Sequence, residues 1–329
     1  MKKNVFYFSC LLLATLMLFS CKQSGKKGIK VDNFSNGKAG EVILVLDKKF
    51  VSEGAQNYIV EFLTQPQPAI NQIEPMFDIL HFDNKEFTNH FQRHRSIVQF
   101  DINPNFASNT FNIEENVWSK PQVHIYFRGN AMDSLLFLFK QNENEIINAL
   151  YNNDLKRVQY FIATNNDSFI EKKIKDKFGI SITVPNTYSV AREEDDFMWL
   201  RFRTMRNDRF IIVYKTPGND LLKRALVDAR NEITKAYIPG AVLGAYPIVA
   251  EVQPFPLYDN DVKIGTHTGA ELRGLWESVN DKMGGPFYEY SFVDKTGENV
   301  ISVGGFVYAP EEEKRDYLRD VEAIVKTVR

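Results

Sequence analysis

Apolar positions along this chain recur with two spacings, about two and about 3.6 residues, and each switch between them marks an element. Residues 41–46 form an unbroken apolar run behind Glu41, stopped by Asp47-Lys48-Lys49, and read as a short strand. Over 51–64, Ala55, Tyr58, Ile59 and Phe62 fall at helical spacing until Gln65-Pro66-Gln67-Pro68 breaks the helix. Strands are predicted over 77–82, 96–102 and 123–127, with a short helix over 84–92. The longest helical stretch, 131–178, carries one apolar line through Leu135, Phe139, Ile146 and Leu150. Leu155, Val158, Ile162, Phe169 and Ile174 continue it. Asn152-Asn153-Asp154 and Asn165-Asn166-Asp167 are expected to bend or break it, and Gly179 to stop it.

The second half returns to strands, predicted over 181–184, 197–204, 209–215 and 248–252, with a helix over 221–237 that ends at Pro239-Gly240. Residues 263–277, 287–294 and 300–308 read as a three-stranded antiparallel meander, with Asp294-Lys295-Thr296-Gly297 as a hairpin turn. A closing helix is expected to start at Pro310, followed by Glu311, Glu312 and Glu313. Tyr317, Val321, Ile324, Val325 and Val328 would share one face. Hairpin-length links favour an α+β fold of largely antiparallel sheets with packed helices over a doubly wound parallel sheet. Both halves run from strands into helices, so two similar lobes, 41–130 and 180–329, joined by helices over 131–179, fit the pattern, although no residue-level repeat supports them.

The N-terminus adds an address. Lys2 and Lys3 precede an apolar run over 5–18, too short for a membrane span of about 20 residues, and Leu18-Phe19-Ser20-Cys21 closes it. This resembles a bacterial lipoprotein signal, Leu-x-(Gly/Ala/Ser)-Cys, with Phe19 bulkier than usual. On that reading residues 1–20 are the signal peptide and Cys21 carries the lipid, palmitate included. Residues 21–40 are then a flexible tether of about 25 Å, and 41–329 are the folded domain. The only other cysteine, Cys10, leaves with the signal, which removes disulfides, Cys-ligated metals and a thiol nucleophile. Lys22 rather than Asp follows Cys21, and no acidic run follows it. By resemblance to lipoprotein sorting rules, this points to the periplasmic face of the outer membrane.

Charge excludes one class: 40 basic against 42 acidic residues, with no basic stripe interleaved with aromatics, gives no nucleic-acid footprint. Several strings together resemble one family. Glu74-Pro75-Met76-Phe77-Asp78, Arg93-His94-Arg95, Trp118-Ser119-Lys120-Pro121-Gln122, Arg273-Gly274-Leu275-Trp276, Gly284-Gly285-Pro286-Phe287 and Gly305-Phe306-Val307-Tyr308-Ala309-Pro310 are similar to the domain of unknown function 4837 family of Bacteroidota lipoproteins. The resemblance covers nearly the whole mature chain, reinforces the envelope address and implies no activity or catalytic residue.

Two clusters are candidates for ligand binding. Arg93, His94 and Arg95 put two guanidiniums beside an imidazole, suited to a carboxylate or phosphate. The plainer reading is a helix C-terminal turn whose cations suit the dipole. In Met198-Trp199-Leu200-Arg201-Phe202-Arg203 the even positions face a core, while Trp199, Arg201 and Arg203 share the other face. That face is either a cation–π platform for an anionic or sugar ligand or a solvated surface paired with the acidic run 193–196. Glu271, Arg273, Glu277 and His267 would share a strand face, but Glu271 and Glu277 would stand about 20 Å apart, too far for a glycosidase pair. Arg273 then reads as an ion-pair partner, and Gly284-Gly285-Pro286 as a turn launching a strand.

The five histidines show no metal-ligand spacing, and no nucleophile elbow, phosphate loop or dinucleotide fingerprint is present, so no cofactor and no metal is expected. The expectation is a non-catalytic envelope lipoprotein. It is held to the membrane by its N-terminal lipid and binds a protein or glycan partner of the envelope. The alternatives are a glycan- or peptidoglycan-acting enzyme and a small-ligand or lipid carrier.

Overall fold

The structure is a computed structural model that describes residues 33–50, 53–252 and 256–329. The signal peptide, Cys21 and most of the tether expected from the sequence lie outside the described residues. Strand β1 (Glu41–Val45) carries the apolar run noted above, and Val42 to Leu46 are fully buried. A strand without polar alternation is buried on both faces, the mark of a parallel sheet. Helix α1 (Glu53–Leu63) follows, and β2 (Asp78–Phe82), β3 (Ser96–Ile102) and β5 (Val123–Gly129) pair parallel with β1 or with each other. β4 (Thr110–Glu115) closes one edge antiparallel to β5, giving the order β2-β1-β3-β5-β4. The single turn α2 (Asn89–Gln92) precedes β3. Val42, Leu44, Val98, Phe100, Ile125 and Phe127 meet the apolar side of α1 and of α3 (Met132–Gln141) in one core.

The long helical stretch divides in three. Asn142 separates α3 from α4 (Glu143–Thr164), and Asp167 caps α5 (Ser168–Phe178), its side chain accepting the N–H groups of Phe169 and Ile170. Gly179 ends α5 at φ 73°, the left-handed turn foreseen for it. Asn152-Asn153-Asp154 was expected to bend the chain and does not. It runs straight through α4, because Asn153 and Asp154 bond to other elements rather than to their own backbone.

The second lobe is antiparallel. Its strands are β6 (Ser189–Glu194), β7 (Phe197–Arg203), β8 (Asp208–Pro217), β9 (Tyr246–Val249), β10 (Leu257–Ile264), β11 (His267–Val279), β12 (Gly284–Val293) and β13 (Asn299–Tyr308). Their order is β10-β11-β12-β13-β8-β7-β6, with β9 on β11. The fold is therefore α+β, with a C-terminal helix. The two lobes do not share a topology, since the first sheet is mostly parallel and the second antiparallel. Residues 181–184 are extended but form no named strand: Ser181 exchanges backbone hydrogen bonds with Arg329, and the Val184 carbonyl accepts the Asp167 N–H. The strand expected over 263–277 starts at His267 as β11, because a hairpin turn at Gly265 (φ 58°) joins it to β10.

The large sheet has two covered faces. Met198, Leu200, Ile211, Val213, Tyr290 and Val303 pack against α5 and α7 (Arg315–Val325). On the other face Phe197, Phe210, Ile212, Tyr214, Phe287 and Phe306 pack against α6 (Lys223–Tyr237). α7 starts five residues later than Pro310 suggested, because a side chain from the first lobe caps it. The Glu74 carboxylate accepts the backbone N–H groups of Lys314 and Arg315 at 2.7–3.0 Å. α7 buries Leu318, Val321, Ile324 and Val325 on the large sheet and turns Arg315, Arg319 and Glu322 to the first lobe. Arg319 donates to Asp154 of α4 at 2.7 Å and to the Met76 carbonyl at 2.6 Å. Arg95 reaches the same carboxylate at 3.3 Å.

One buried group of the first lobe couples stability to pH. Burial pushes the His124 imidazole from 6.5 down to about 4, and its Nε2 meets Gln99 Oε1 at 3.0 Å. Glu114 lies 3.9 Å from Nδ1 but is more than half exposed, too weak to reverse the shift. The unfolded imidazole takes up a proton near pH 6.5 and the folded one only near 4, so stability is full above that window and falls through it. The expected loss between pH 6.5 and 4 is about 3 kcal/mol. Urea midpoints of the wild type and of His124→Gln across this range check it: the variant's slope there is expected to flatten.

Candidate functional site

The strand β7 alternation places Met198 and Leu200 in the core under α5 and α7, and Trp199 and Arg201 on the face that α6 covers. The helix covers only part of that face. It stops at Tyr237, where Ile238-Pro239-Gly240 leads away, and a recess beyond its end reaches the edges of otherwise buried aromatic rings. The result is a pocket of about 190 Å³ lined by Trp199, Phe210, Trp276, Phe306, Met283 and the Pro239–Ala241 turn. Its floor is a ring pair: Phe210 and Phe306 are register partners on β8 and β13, with centroids 4.4 Å apart. Trp199 stands 5.8 Å from Phe210 on one side, and Trp276 stands 5.3 Å from Phe306 on the other.

Gly285 explains how Trp276 lies against the sheet. A Cβ there would stand 2.1 Å from the Val307 carbonyl oxygen and 3.2 Å from Trp276 Nε1, and Trp276 donates to that same carbonyl at 3.0 Å. The turn reading of Gly284-Gly285-Pro286 is thus incomplete, because the glycine sits inside β12 as a close-approach position. Gly285→Ala is expected to cost about 1–3 kcal/mol by overpacking and to displace the Trp276 ring. A lower urea midpoint with altered indole fluorescence checks both.

The polar atoms of the pocket are few. Arg201 donates to Asp208 Oδ2 at 2.6 Å, and its guanidinium carbon lies 5.6 Å from the Phe210 centroid. Arg203 reaches Asp208 Oδ1 at 3.7 Å from a largely exposed position, so the mouth holds two guanidiniums on one carboxylate. The acidic run 193–196, expected to pair with this face, faces other partners: Lys173 and Lys177 for Glu193, Arg192 for Glu194 and Lys215 for Asp196. The buried N–H groups of Trp199 Nε1 and Arg201 Nε have no acceptor among the described residues.

The other sequence candidates are structural in their setting. Arg93 is the C-cap of α2 and donates to the Phe34 carbonyl. His94 is 4 % exposed, its Nδ1 meets the Ser96 carbonyl at 3.0 Å and its Nε2 lies 3.5 Å from Glu41, with Gly37 packed against the ring. Burial, more than the neighbouring Arg95, holds its pKa below the usual value. Arg95 is buried between the lobes, on Asp154 and the Gly37 carbonyl. Glu271 and Arg273 pair at 3.0 Å, and Arg273 also holds Glu322 of α7 at 3.2 Å. Burial drives the Glu322 carboxyl up, but Arg273 and Lys326 outweigh it and hold it low. His267 stacks on Phe292 at 4.1 Å, away from this cluster's ion pairs. Glu277 is exposed and lines a shallow groove with Gly284, Lys282 and Lys314. Among the described residues no group of three or more His, Cys, Asp or Glu side chains is arranged to hold a metal.

Sequence reasoning found Trp199 and Arg201 by alternation. It missed Phe210, Trp276 and Phe306, which register brings together from three other strands.

Residues 167–327 match the family described as Domain of unknown function (DUF4837), a narrower reach than the nearly whole mature chain that the resemblance implied. Residues 35–163 match a second, Domain of unknown function (DUF8532). The boundary falls at the Asn165–Asp167 break between α4 and α5. No curated protein matches the chain. Among solved structures, the Ran-binding protein Mog1p of Saccharomyces cerevisiae is 12% identical with a TM-score of 0.31, covering 46% of this chain and 89% of its own. A Mog1 mutant is 14% identical, with a TM-score of 0.30 and the same coverage. The human StarD13 lipid transfer and protein localization domain is 9% identical with a TM-score of 0.22, over 47% of this chain and 94% of its own. At these values the likenesses carry no functional weight.

Proposed function

We propose that this chain is an envelope lipoprotein, anchored through Cys21 on the periplasmic side of the outer membrane, whose folded unit is a non-catalytic binding module. The observation that carries the binding role is the recess past the end of α6, where partly exposed Trp199 and the nearly buried rings of Phe210, Trp276 and Phe306 line a mostly apolar pocket. Its size supports recognition of one small group: about 190 Å³ is below the roughly 300 Å³ at which drug-sized ligand pockets begin, and gives little room for an acyl chain. An enzyme acting on glycans would need acids converging in an open cleft. The acid–imidazole pairs that meet, Glu41 with His94 beneath Gly37 and Glu114 with His124, both have the imidazole buried.

Two measurements test the reading. Metabolic labelling with a clickable palmitate should mark the wild type and miss Cys21→Ala, and intact cells should protect the domain from added protease. Cross-linking on native membranes should recover envelope components with the wild type that are lost with Trp199→Ala. Recovery of the same components from both would overturn the pocket's role, and an unlabelled wild type would overturn the anchor.

A further inference from the structure

The polar chemistry of the pocket selects among ligands, and this selection rests on the binding role just proposed. Five lining side chains carry polar atoms: Trp199, Arg201, Asp208, Trp276 and Ser278. The acceptors are engaged. Asp208 gives one oxygen to Arg201 and turns the other to Arg203, and the Trp276 N–H is occupied by the Val307 carbonyl. Ser278 donates to the Val279 carbonyl at 3.4 Å. Two buried donors have no partner among the described residues, Trp199 Nε1–H and Arg201 Nε–H, beside a mouth with one more positive charge than negative. A buried donor left without an acceptor is costly, so the partner that completes the site brings an acceptor. A sugar ring would need several free acceptors as well as donors, and these side chains offer only the Ser278 hydroxyl and Asp208 Oδ1, which the Arg203 guanidinium faces at 3.7 Å.

The geometry points to a ligand that carries a carboxylate a few bonds from a flat or branched apolar group. The apolar group sits among Trp199, Phe210, Trp276 and Phe306, and the carboxylate accepts from the partly exposed Arg201 guanidinium and, through a shift of the ring that uncovers its buried N–H, from the Trp199 indole. Two sources share this chemistry: a free aryl- or alkyl-carboxylic acid, and the free C-terminus of a chain ending in an apolar residue.

The three tryptophans, Trp118, Trp199 and Trp276, give separate indole N–H signals in the ¹⁵N-labelled full chain. Titration with 3-phenylpropionate at millimolar concentration is expected to move the Trp199 signal most and to leave that of Trp118, in the first lobe, unmoved. 3-Phenylpropionamide, without the charge, should bind about tenfold more weakly. Arg201→Gln should weaken the acid about tenfold and the amide little. Trp199→Phe keeps a ring but removes the donor, and should narrow the acid–amide difference with Arg201 and its Asp208 pair intact. Equal binding of acid and amide would overturn the carboxylate assignment while leaving the pocket reading standing. No movement of Trp199 or Trp276 with either compound, or movement of Trp118 alone, would overturn both. A short peptide ending in phenylalanine, free or amidated, separates the sources: tighter binding of the free peptide than of 3-phenylpropionate supports a chain terminus, and weaker binding supports a free acid.

Discussion

Asp154→Ala is expected to destabilise the folded chain by about 3–5 kcal/mol, a large share of the roughly 5–15 kcal/mol that separates most domains from their unfolded state. Asp154 is 3 % exposed in the middle of α4, and three elements converge on its carboxylate. Arg95, just ahead of β3, donates at 3.3 Å, Arg319 of α7 at 2.7 Å, and the Gly40 N–H at 3.0 Å. Removing the carboxylate leaves two buried guanidiniums facing each other without a counter-charge, which costs far more than the net worth of the pairs themselves. Asp154→Asn keeps the shape and one acceptor but not the charge, and is expected to fall in the same range. Wild-type melting of Asp154→Asn would show that hydrogen bonding alone holds the site. Because the carboxylate ties α4 to α7, hydrogen exchange should rise in both helices and in Gly40, not only around residue 154. Urea unfolding followed by circular dichroism gives the free energy, and exchange gives its location.

That prediction rests on residues whose role the sequence pattern misassigned. Asn152-Asn153-Asp154 reads as a helix breaker because short polar side chains compete for their own backbone. In the fold those side chains have distant partners, and the helix runs on. α7 shows the same limit. Its apolar stripe was legible from Tyr317 to Val328, and it does pack on the large sheet. Its second buried face is made of Arg315, Arg319 and Glu322, residues that pattern reading places in solvent. A charged residue can be assigned to the interior only when its partner is known, and here the partners lie about 160 to 240 positions away in the chain. Sheet direction was hidden for a related reason. β1 is apolar at every position after Glu41, and this signals burial on both faces, but the strand spacing around it resembled hairpins. The pocket was half visible. The alternation in β7 put Trp199 and Arg201 on one face, whereas their companions depend on cross-strand register and on where α6 stops covering them.

Glu289→Gln is the second substitution expected to cost about 3–5 kcal/mol, and it tests whether the aromatic face of the large sheet is organised around one buried charge pair. Glu289 is fully buried on β12, and Arg230 of α6, 2 % exposed, donates to it. The guanidinium also lies 4.5 Å from the Phe287 centroid and 5.8 Å from that of Phe306, the ring on the pocket floor. Tyr214 donates to the other carboxylate oxygen at 2.8 Å, and burial together with that carboxylate pushes its phenol well above the usual range. Gly304 makes the room, since a Cβ there would stand 2.8 Å from the Glu289 carboxylate. The glutamine variant keeps the volume but leaves Arg230 buried and uncompensated. Arg230→Met leaves the carboxylate in the same position, with Tyr214 as its remaining donor. The double variant Arg230→Met with Glu289→Gln removes both charges, and is expected to be more stable than either single variant, with a coupling of about 2 kcal/mol or more. Additive losses would mean that each side chain acts through packing alone. The pocket supplies a second readout, because Arg230 holds α6 against Phe287 and Phe306. Loss of the pair should loosen the helix end at Ile238-Pro239 and shift the Trp199 and Trp276 indole signals, while those of Trp118 in the first lobe stay in place.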